Sequence, residues 1–272
     1  MSELLIKANP PEPDGSIARV TPESAAWEYV GFEVLNLTDG DRANRRTDGV
    51  EACLVAVAGG FTVETGSGER FSAPGRPGPF EGAPDAVYLP PGLDYTIIPS
   101  GSEAEVGICT APAEGRYPAR ELPGADIERE TRGYGSLERR IYPILMADIE
   151  AESLLVCEVV TPPGHWSSYP PHKHDRDNLP EESFLEETYY HRIRPEQGFA
   201  LQRVYTEERD LDEAVVVENR DTVLVPRGYH GVSAPPGYEN YYLNVMAGPT
   251  REWAIHNDPD HEWLLDPEAR SS

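Results

Sequence analysis

Apolar residues along this chain come in short runs separated by glycine, proline, asparagine and aspartate. In the first half the runs are Val30–Leu37, Cys53–Val57, Phe61–Glu64, Ala86–Leu89, Tyr95–Ile98 and Ala104–Cys109. In the second half they are Leu154–Val160, Thr188–Ile193, Phe199–Tyr205, Ala214–Val217, Thr222–Val225 and Tyr241–Val245. Turn residues fall between them, as in Asp39-Gly40, Gly59-Gly60, Pro91-Gly92, Pro163-Gly164 and Pro235-Pro236-Gly237. Short runs rich in β-branched and aromatic residues, bounded by such turns, predict strands. No long segment repeats its apolar positions at the helical period of about 3.6 residues. The expected fold class is therefore all-β.

The pattern is written twice. Val87-Tyr88-Leu89-Pro90-Pro91-Gly92-Leu93-Asp94 resembles Val223-Leu224-Val225-Pro226-Arg227-Gly228-Tyr229-His230. The same spacing places Glu51 on Glu187. Upstream, Gly31-Phe32-Glu33-Val34 resembles Val156-Cys157-Glu158-Val159. A duplicated all-β domain explains this, with one copy in residues 1–130 and the other in residues 131–272. The second copy carries extra residues around Trp166–Glu186. The first half contains no histidine, and Asp94 stands where His230 stands. Histidine-based chemistry is thus expected in the second half alone, with the first serving packing, oligomerisation or as a lid.

The candidate chemistry begins at Tyr169-Pro170-Pro171-His172-Lys173-His174-Asp175. On an extended segment, His172 and His174 point to one side because side chains alternate. A carboxylate from Glu186 or Glu187, and His230 further on, would complete a ligand set for Zn, Mn, Fe, Ni or Co. The alternative is a pair of surface histidines in a proline-rich loop. The internal comparison favours Glu187, which would share a strand face with Tyr189 and His191, while Glu186, Thr188 and Tyr190 take the other. His256 and His261 are read as a C-terminal segment packing over the barrel.

Composition narrows the partners. The formal net charge is -25 over 272 residues, which disfavours nucleic acid and anionic membrane surfaces. Cys53, Cys109 and Cys157 each sit in an apolar run without a CxxC spacing, as expected of buried free thiols in a reducing compartment. No basic n-region with an apolar h-region opens the chain, and no apolar run approaches the roughly 18 residues a membrane helix needs. A cytoplasmic protein is expected.

An HxH, a glutamate opening a strand, then Pro-x-Gly and a histidine is similar to the pattern of cupins, and two in tandem make a bicupin. The match is closer still to the 5-deoxy-glucuronate isomerase family of myo-inositol catabolism. It rests on Trp166-Ser-Ser-Tyr-Pro-Pro-His-Lys-His-Asp175, Leu185-Glu-Glu-Thr-Tyr-Tyr-His-Arg-Ile193, Gln197-Gly-Phe, Gln202-Arg-Val-Tyr205 and Val225-Pro-Arg-Gly-Tyr-His230. Tyr241-Tyr-Leu-Asn-Val-Met-Ala-Gly248, Asn257-Asp-Pro-Asp-His-Glu-Trp263 and Trp27-Glu-Tyr-Val-Gly-Phe-Glu-Val34 add to it. One residue, Tyr229, separates Gly228 from His230 where cupins usually have two, and the gap from His174 to Glu187 is longer than usual.

The resemblance implies two tandem double-stranded β-helix barrels, the N-terminal one without metal ligands. It implies an aldose–ketose isomerase converting 5-deoxy-D-glucuronate into 2-deoxy-5-keto-D-gluconate. The metal ligands would be His172, His174, Glu187 and His230, with Zn expected first and Mn, Fe, Ni or Co also fitting. Acid–base candidates are His191, Tyr189, Glu186 and Tyr242. Arg203, Arg227 and Lys173 are the cations expected to hold the substrate carboxylate, with Arg192 a further local choice. A homo-oligomer associating through edge strands is expected. The alternatives are a related uronate isomerase of the 5-keto-4-deoxyuronate type and a metal-dependent cupin oxygenase.

Overall fold

The computed structural model describes residues 2–266, and their regular secondary structure is almost entirely strand. The first half forms a nine-stranded curled sheet around Val50–Thr65. The apolar runs Cys53–Val57 and Phe61–Glu64 are one continuous strand rather than two. Its first part pairs with Ala86–Leu89 and Glu103–Pro112, its second with Arg70–Arg76 and Asp94–Pro99. Gly59-Gly60 is where it changes partners. A Cβ on Gly59 would lie 2.2 Å from the Glu103 carbonyl oxygen, and one on Gly60 would lie 2.1 Å from that of Pro74. The glycines therefore permit the bend, as sheet corners require.

The second half folds into two large sheets, with a two-stranded ribbon of Asp175–Asn178 and Glu182–Phe184 beside them. One runs Thr222–Val225, Glu186–Arg194, Glu239–Ala247, Leu155–Thr161, Arg139–Leu145 and Glu130–Arg132, with Leu5–Ile6 at its far edge. The other runs Asp212–Glu218, Phe199–Tyr205, Tyr229–Ser233, Trp166–Lys173 and His256–Asn257. The sheets face each other over a core that includes Val159, Tyr189, Val204, Val217, Val223, Val232 and Tyr242. Leu5–Ile6 pairs with Thr222 and Val223, so the start of the chain lies in the sheet of the second half.

A second apolar cluster joins the halves, with Phe32, Val34, Cys53 and Tyr88 packed against Val156, Tyr190, Tyr241 and Leu243. Strands Leu155–Thr161 and Glu239–Ala247 are buried on both faces as a result, which is why their sequences are mostly apolar without strict alternation, with Glu158, Asn240 and Asn244 as polar exceptions. Two ion clusters lie in this interface. Arg76 grips Glu158 with two hydrogen bonds of 2.6 and 2.7 Å, and Tyr241 donates to the same carboxylate at 2.9 Å. Glu105 accepts from Tyr190 at 2.9 Å and Arg192 at 2.6 Å. The three cysteines are free and buried, and burial pushes the Cys53 and Cys157 thiols up to about 12.

The halves also clasp each other through a reciprocal pair of carboxylates. Glu51 accepts the backbone N–H groups of Glu152, Ser153 and Leu154 at 2.9, 2.7 and 2.7 Å. Glu186 accepts those of Glu28, Tyr29 and Val30 at 2.7, 2.8 and 2.9 Å. The register agrees, since Glu51 pairs with Ala111 and Glu186 with Ala247. The counterpart of Glu51 is thus Glu186, and the expected match to Glu187 is corrected by one residue. Glu186→Ala would leave the buried Val30 N–H without its acceptor, at about 1–3 kcal/mol before relaxation, while the partly buried N–H groups of Glu28 and Tyr29 turn to water. A loss of stability of about 1–3 kcal/mol is expected in denaturant unfolding, with metal content of the folded protein unchanged.

Candidate metal centre and its cavity

Strand Trp166–Lys173 carries the first ligands, although no uniform apolar run marks it. Its ladder to Tyr229–Ser233 holds at Trp166 and Ser167, breaks, and resumes with His172 opposite His230. The break spans Pro170 and Pro171, which have no N–H to give. The resumed pairing brings the His172 and His230 rings to 4.7 Å between centroids, and His174 lies 5.2 Å from His230. The ligating nitrogens of the three histidines all lie within 4.8 Å of one another.

Backbone carbonyls fix two tautomers. His174 Nδ1 donates to the Leu185 oxygen at 3.0 Å, and His230 Nδ1 to the Gly228 oxygen at 3.1 Å. A carbonyl can only accept, so in each neutral ring Nε2 is left as a lone pair. Both lone pairs face one oxygen of Glu187, at 3.0 Å from His174 and 3.1 Å from His230. His230 Nε2 is buried and makes no hydrogen bond despite that distance. Two lone pairs and a carboxylate oxygen converging on one point repel unless a proton or a metal cation lies between them. This donor set therefore fits a divalent metal.

The electrostatics agree. Burial opposes the charge of Glu187, but the imidazoles of His230 and His174 outweigh it and hold the carboxyl well below the usual range. Burial, with His230 and His174 close by, keeps His172 well below the ordinary histidine value. Burial also lowers His174, but Glu187 raises it more. Asn244, which the sequence reading missed, donates to the other Glu187 oxygen at 2.6 Å and fixes the carboxylate's orientation. It faces Tyr189 across the ladder.

The cluster borders a cavity of about 940 Å³ lined by His172, Glu187, Tyr189, Tyr242, Ser168 and Asn244, among others. The Tyr189 and Tyr242 rings lie 4.8 Å apart, and Ser168 Oγ sits 3.3 Å from each hydroxyl. Burial raises both phenols, Tyr242 up to about 12. Trp253, Leu264 and Leu265 form part of the wall, so the C-terminal segment does pack over the barrel. His256 and Asn257 pair with Lys173 and His172 there.

Strand alternation sends the other candidates elsewhere. Glu187, Tyr189 and His191 share the barrel face, but His191 lies beneath the tyrosines. It is fully buried between the side chains of Asn240 and Gln202 at 3.1 Å each, and does not line the cavity. Glu186 points into the contact between halves, so its expected acid–base role is corrected. Lys173 is buried on the far side from its histidine neighbours, bonded to Asp175 at 2.8 Å and Glu182 at 2.9 Å. Arg203 and Arg227 face solvent, paired with Asp212 and Asp210 at 2.8 Å. None of these three cations reaches the cavity, which corrects their assignment to the substrate carboxylate. The arginines that do line it are Arg132 and Arg139.

Comparison with known proteins agrees with this architecture. Two curated relatives are 5-deoxy-glucuronate isomerases. The one from Geobacillus kaustophilus is 53% identical over 267 residues, covering 98% of this chain and 96% of that protein. The one from Bacillus subtilis strain 168 is 46% identical over 271 residues, covering 98% of this chain and 100% of that protein. The crystal structure of an IolB-like protein from Salmonella typhimurium superposes with a TM-score of 0.92 at 43% identity, covering 97% of this chain and 99% of that one. Oxalate decarboxylase from Bacillus subtilis superposes with a TM-score of 0.66 at 14% identity, covering 94% of this chain and 80% of that one. That likeness speaks to fold alone, and the fold is a bicupin. Residues 4–264 match the KduI/IolB family, and the chain belongs to that family.

Proposed function

We propose that this protein is a 5-deoxy-glucuronate isomerase, converting 5-deoxy-D-glucuronate into 2-deoxy-5-keto-D-gluconate in the cytoplasm during inositol breakdown. The observation that carries the chemistry is the convergence of three imidazoles and Glu187 at the wall of a cavity large enough for a hexose acid. His172, His174, His230 and Glu187 would hold the metal; Zn suits the set, as do Mn, Fe, Ni and Co. A divalent cation there supplies a Lewis acid that stabilises negative charge shared by two adjacent oxygens.

The reaction turns a terminal aldehyde into a hydroxymethyl group and the neighbouring carbinol into a ketone. A hydrogen leaves the carbinol carbon for the former aldehyde carbon, and a proton passes between the two oxygens. Tyr189 and Tyr242 stay protonated near neutral pH because burial raises them. They would donate hydrogen bonds to those oxygens, and Ser168, whose Oγ lies 3.3 Å from each hydroxyl, would link them for proton exchange. Tyr189→Phe should lower kcat about 100-fold with metal content retained, the scale of one lost acid–base group.

A proton NMR time course with 5-deoxy-D-glucuronate, without oxygen, before and after chelator, tests the reading. Product that stops on chelation and returns with added divalent metal is the expected result. No conversion by metal-loaded protein would point to a related uronate, and turnover restored only by air would point to an oxygenase.

A further inference from the structure

The substrate proposed above carries a carboxylate, yet the cations expected to hold it lie outside the cavity. Two arginines inside it were not anticipated. Arg132, on Glu130–Arg132, and Arg139, on Arg139–Leu145, are direct partners across an antiparallel ladder. Like charges directly opposite on neighbouring strands destabilise a sheet unless something neutralises them. Glu130 pairs with Arg132 at 2.7 Å. Arg139 has no carboxylate partner among the described residues; its hydrogen bond goes to the Leu137 carbonyl at 3.1 Å. That is unusual in a chain where 48 Asp and Glu face 23 Lys and Arg, and where other cations on these strands, such as Arg140, do find an acid.

The surroundings of Arg139 are built rather than incidental. Gly133, at φ +82°, turns the chain beneath it; a Cβ there would lie 2.2 Å from the Leu137 carbonyl oxygen and 2.9 Å from the Arg139 guanidinium. Arg139, Ile141 and Pro143 alternate onto the cavity wall, while Arg140 and Tyr142 face away. The remaining cavity carboxylates, Asp148 and Glu252, are exposed to solvent. Burial lowers the proton affinity of Arg139, with Arg132 adding to the effect.

We propose that Arg139, backed by Arg132, is the carboxylate anchor of the substrate, gripping the sugar acid at the end remote from the reacting carbons and leaving those carbons at the histidine–Glu187 cluster. The guanidinium fork suits a carboxylate through two parallel hydrogen bonds. This makes Arg139 a selectivity device: neutral sugars of the same size leave its charge unpaired. The inference rests on the proposed isomerase activity only for the identity of the sugar acid.

Wild-type, Arg139→Gln and Arg139→Lys proteins, all metal-loaded, test it with 5-deoxy-D-glucuronate and with the neutral analogue bearing a hydroxymethyl group in place of the carboxylate. Binding is measured by calorimetry, separately from turnover. Wild type should prefer the acid. Arg139→Gln should raise Kd and KM for the acid about 10- to 100-fold, the scale of a lost hydrogen bond to a charged group. It should change kcat little and leave the neutral analogue unaffected, and Arg139→Lys should recover part of the loss. Equal weakening for both sugars would mean a structural role and overturn the proposal. So would unchanged acid binding in Arg139→Gln, or a wild type that does not prefer the acid. Acid-selective binding without isomerisation would instead sink the proposed reaction and leave the anchor standing.

Discussion

His174→Ala should lose bound metal and reduce kcat/KM roughly 1000-fold or more, while near-native circular dichroism persists. The scale follows from removing a preorganised stabiliser of developing oxyanion charge, of which a single hydrogen-bond donor is typically worth 10²- to 10³-fold. His174 holds its position through the Leu185 carbonyl and faces Glu187 at 3.0 Å. Without it, His172, His230 and Glu187 form an open three-ligand set, weaker for the metal. The fold should survive because the core of the barrel lies in other residues, Val204, Val217, Val223 and Val232 among them. Glu187 keeps its 2.6 Å hydrogen bond from Asn244. Elemental analysis of metal per protomer, beside the isomerase assay, checks the expectation. Full activity with metal retained would remove His174 from the site.

Arg76→Met should cost about 3–5 kcal/mol of stability at neutral pH, the usual cost of stranding one charge of a buried pair. Arg76 and Glu158 are both buried, and their two hydrogen bonds join one half of the chain to the other. Burial raises the Glu158 carboxyl above its ordinary value, even though Arg76 and Tyr241 act to lower it. A carboxyl raised on folding favours the folded state when protonated. That contribution is fully present below the unfolded value and is lost as pH rises through the folded one. In Arg76→Met the main lowering influence is gone, so the folded value rises further and the penalty at neutral pH grows. The gap between variant and wild type should therefore narrow as pH falls toward the ordinary glutamate range. Urea midpoints across that range check it. A gap that stays constant with pH would mean lost packing rather than a stranded carboxylate.

Much of this was legible in the chain itself. Turn-bounded apolar runs gave strands close to the observed ones: Ala86–Leu89, Phe199–Tyr205 and Thr222–Val225 carry the expected bounds. Alternation put Glu187 and Tyr189 on one face and Glu186 on the other, because the two-residue period of a strand is set by local backbone geometry. The histidine-bearing strand was harder to see, since its prolines interrupt the ladder and its side chains follow no apolar pattern. Glu187 was favoured through a comparison that was one residue out of register. Glu51 and Glu186 are the true counterparts, and both bond backbone N–H groups of the opposite half. Short, weakly similar strands cannot fix register by themselves.

Local sequence alone determined the all-β class, the twofold repetition and the histidine pattern, because these depend on side-chain periodicity and turn chemistry within a few residues. Only the tertiary structure decided which polar groups meet. It turned Glu186 into a clasp between halves, sent Arg203 and Arg227 to solvent, buried Lys173 among acids, and left Arg139 in the cavity with no carboxylate partner among the described residues. Partner choice among charged side chains depends on which strands become neighbours, and that is fixed by burial summed over the whole chain rather than by any one segment.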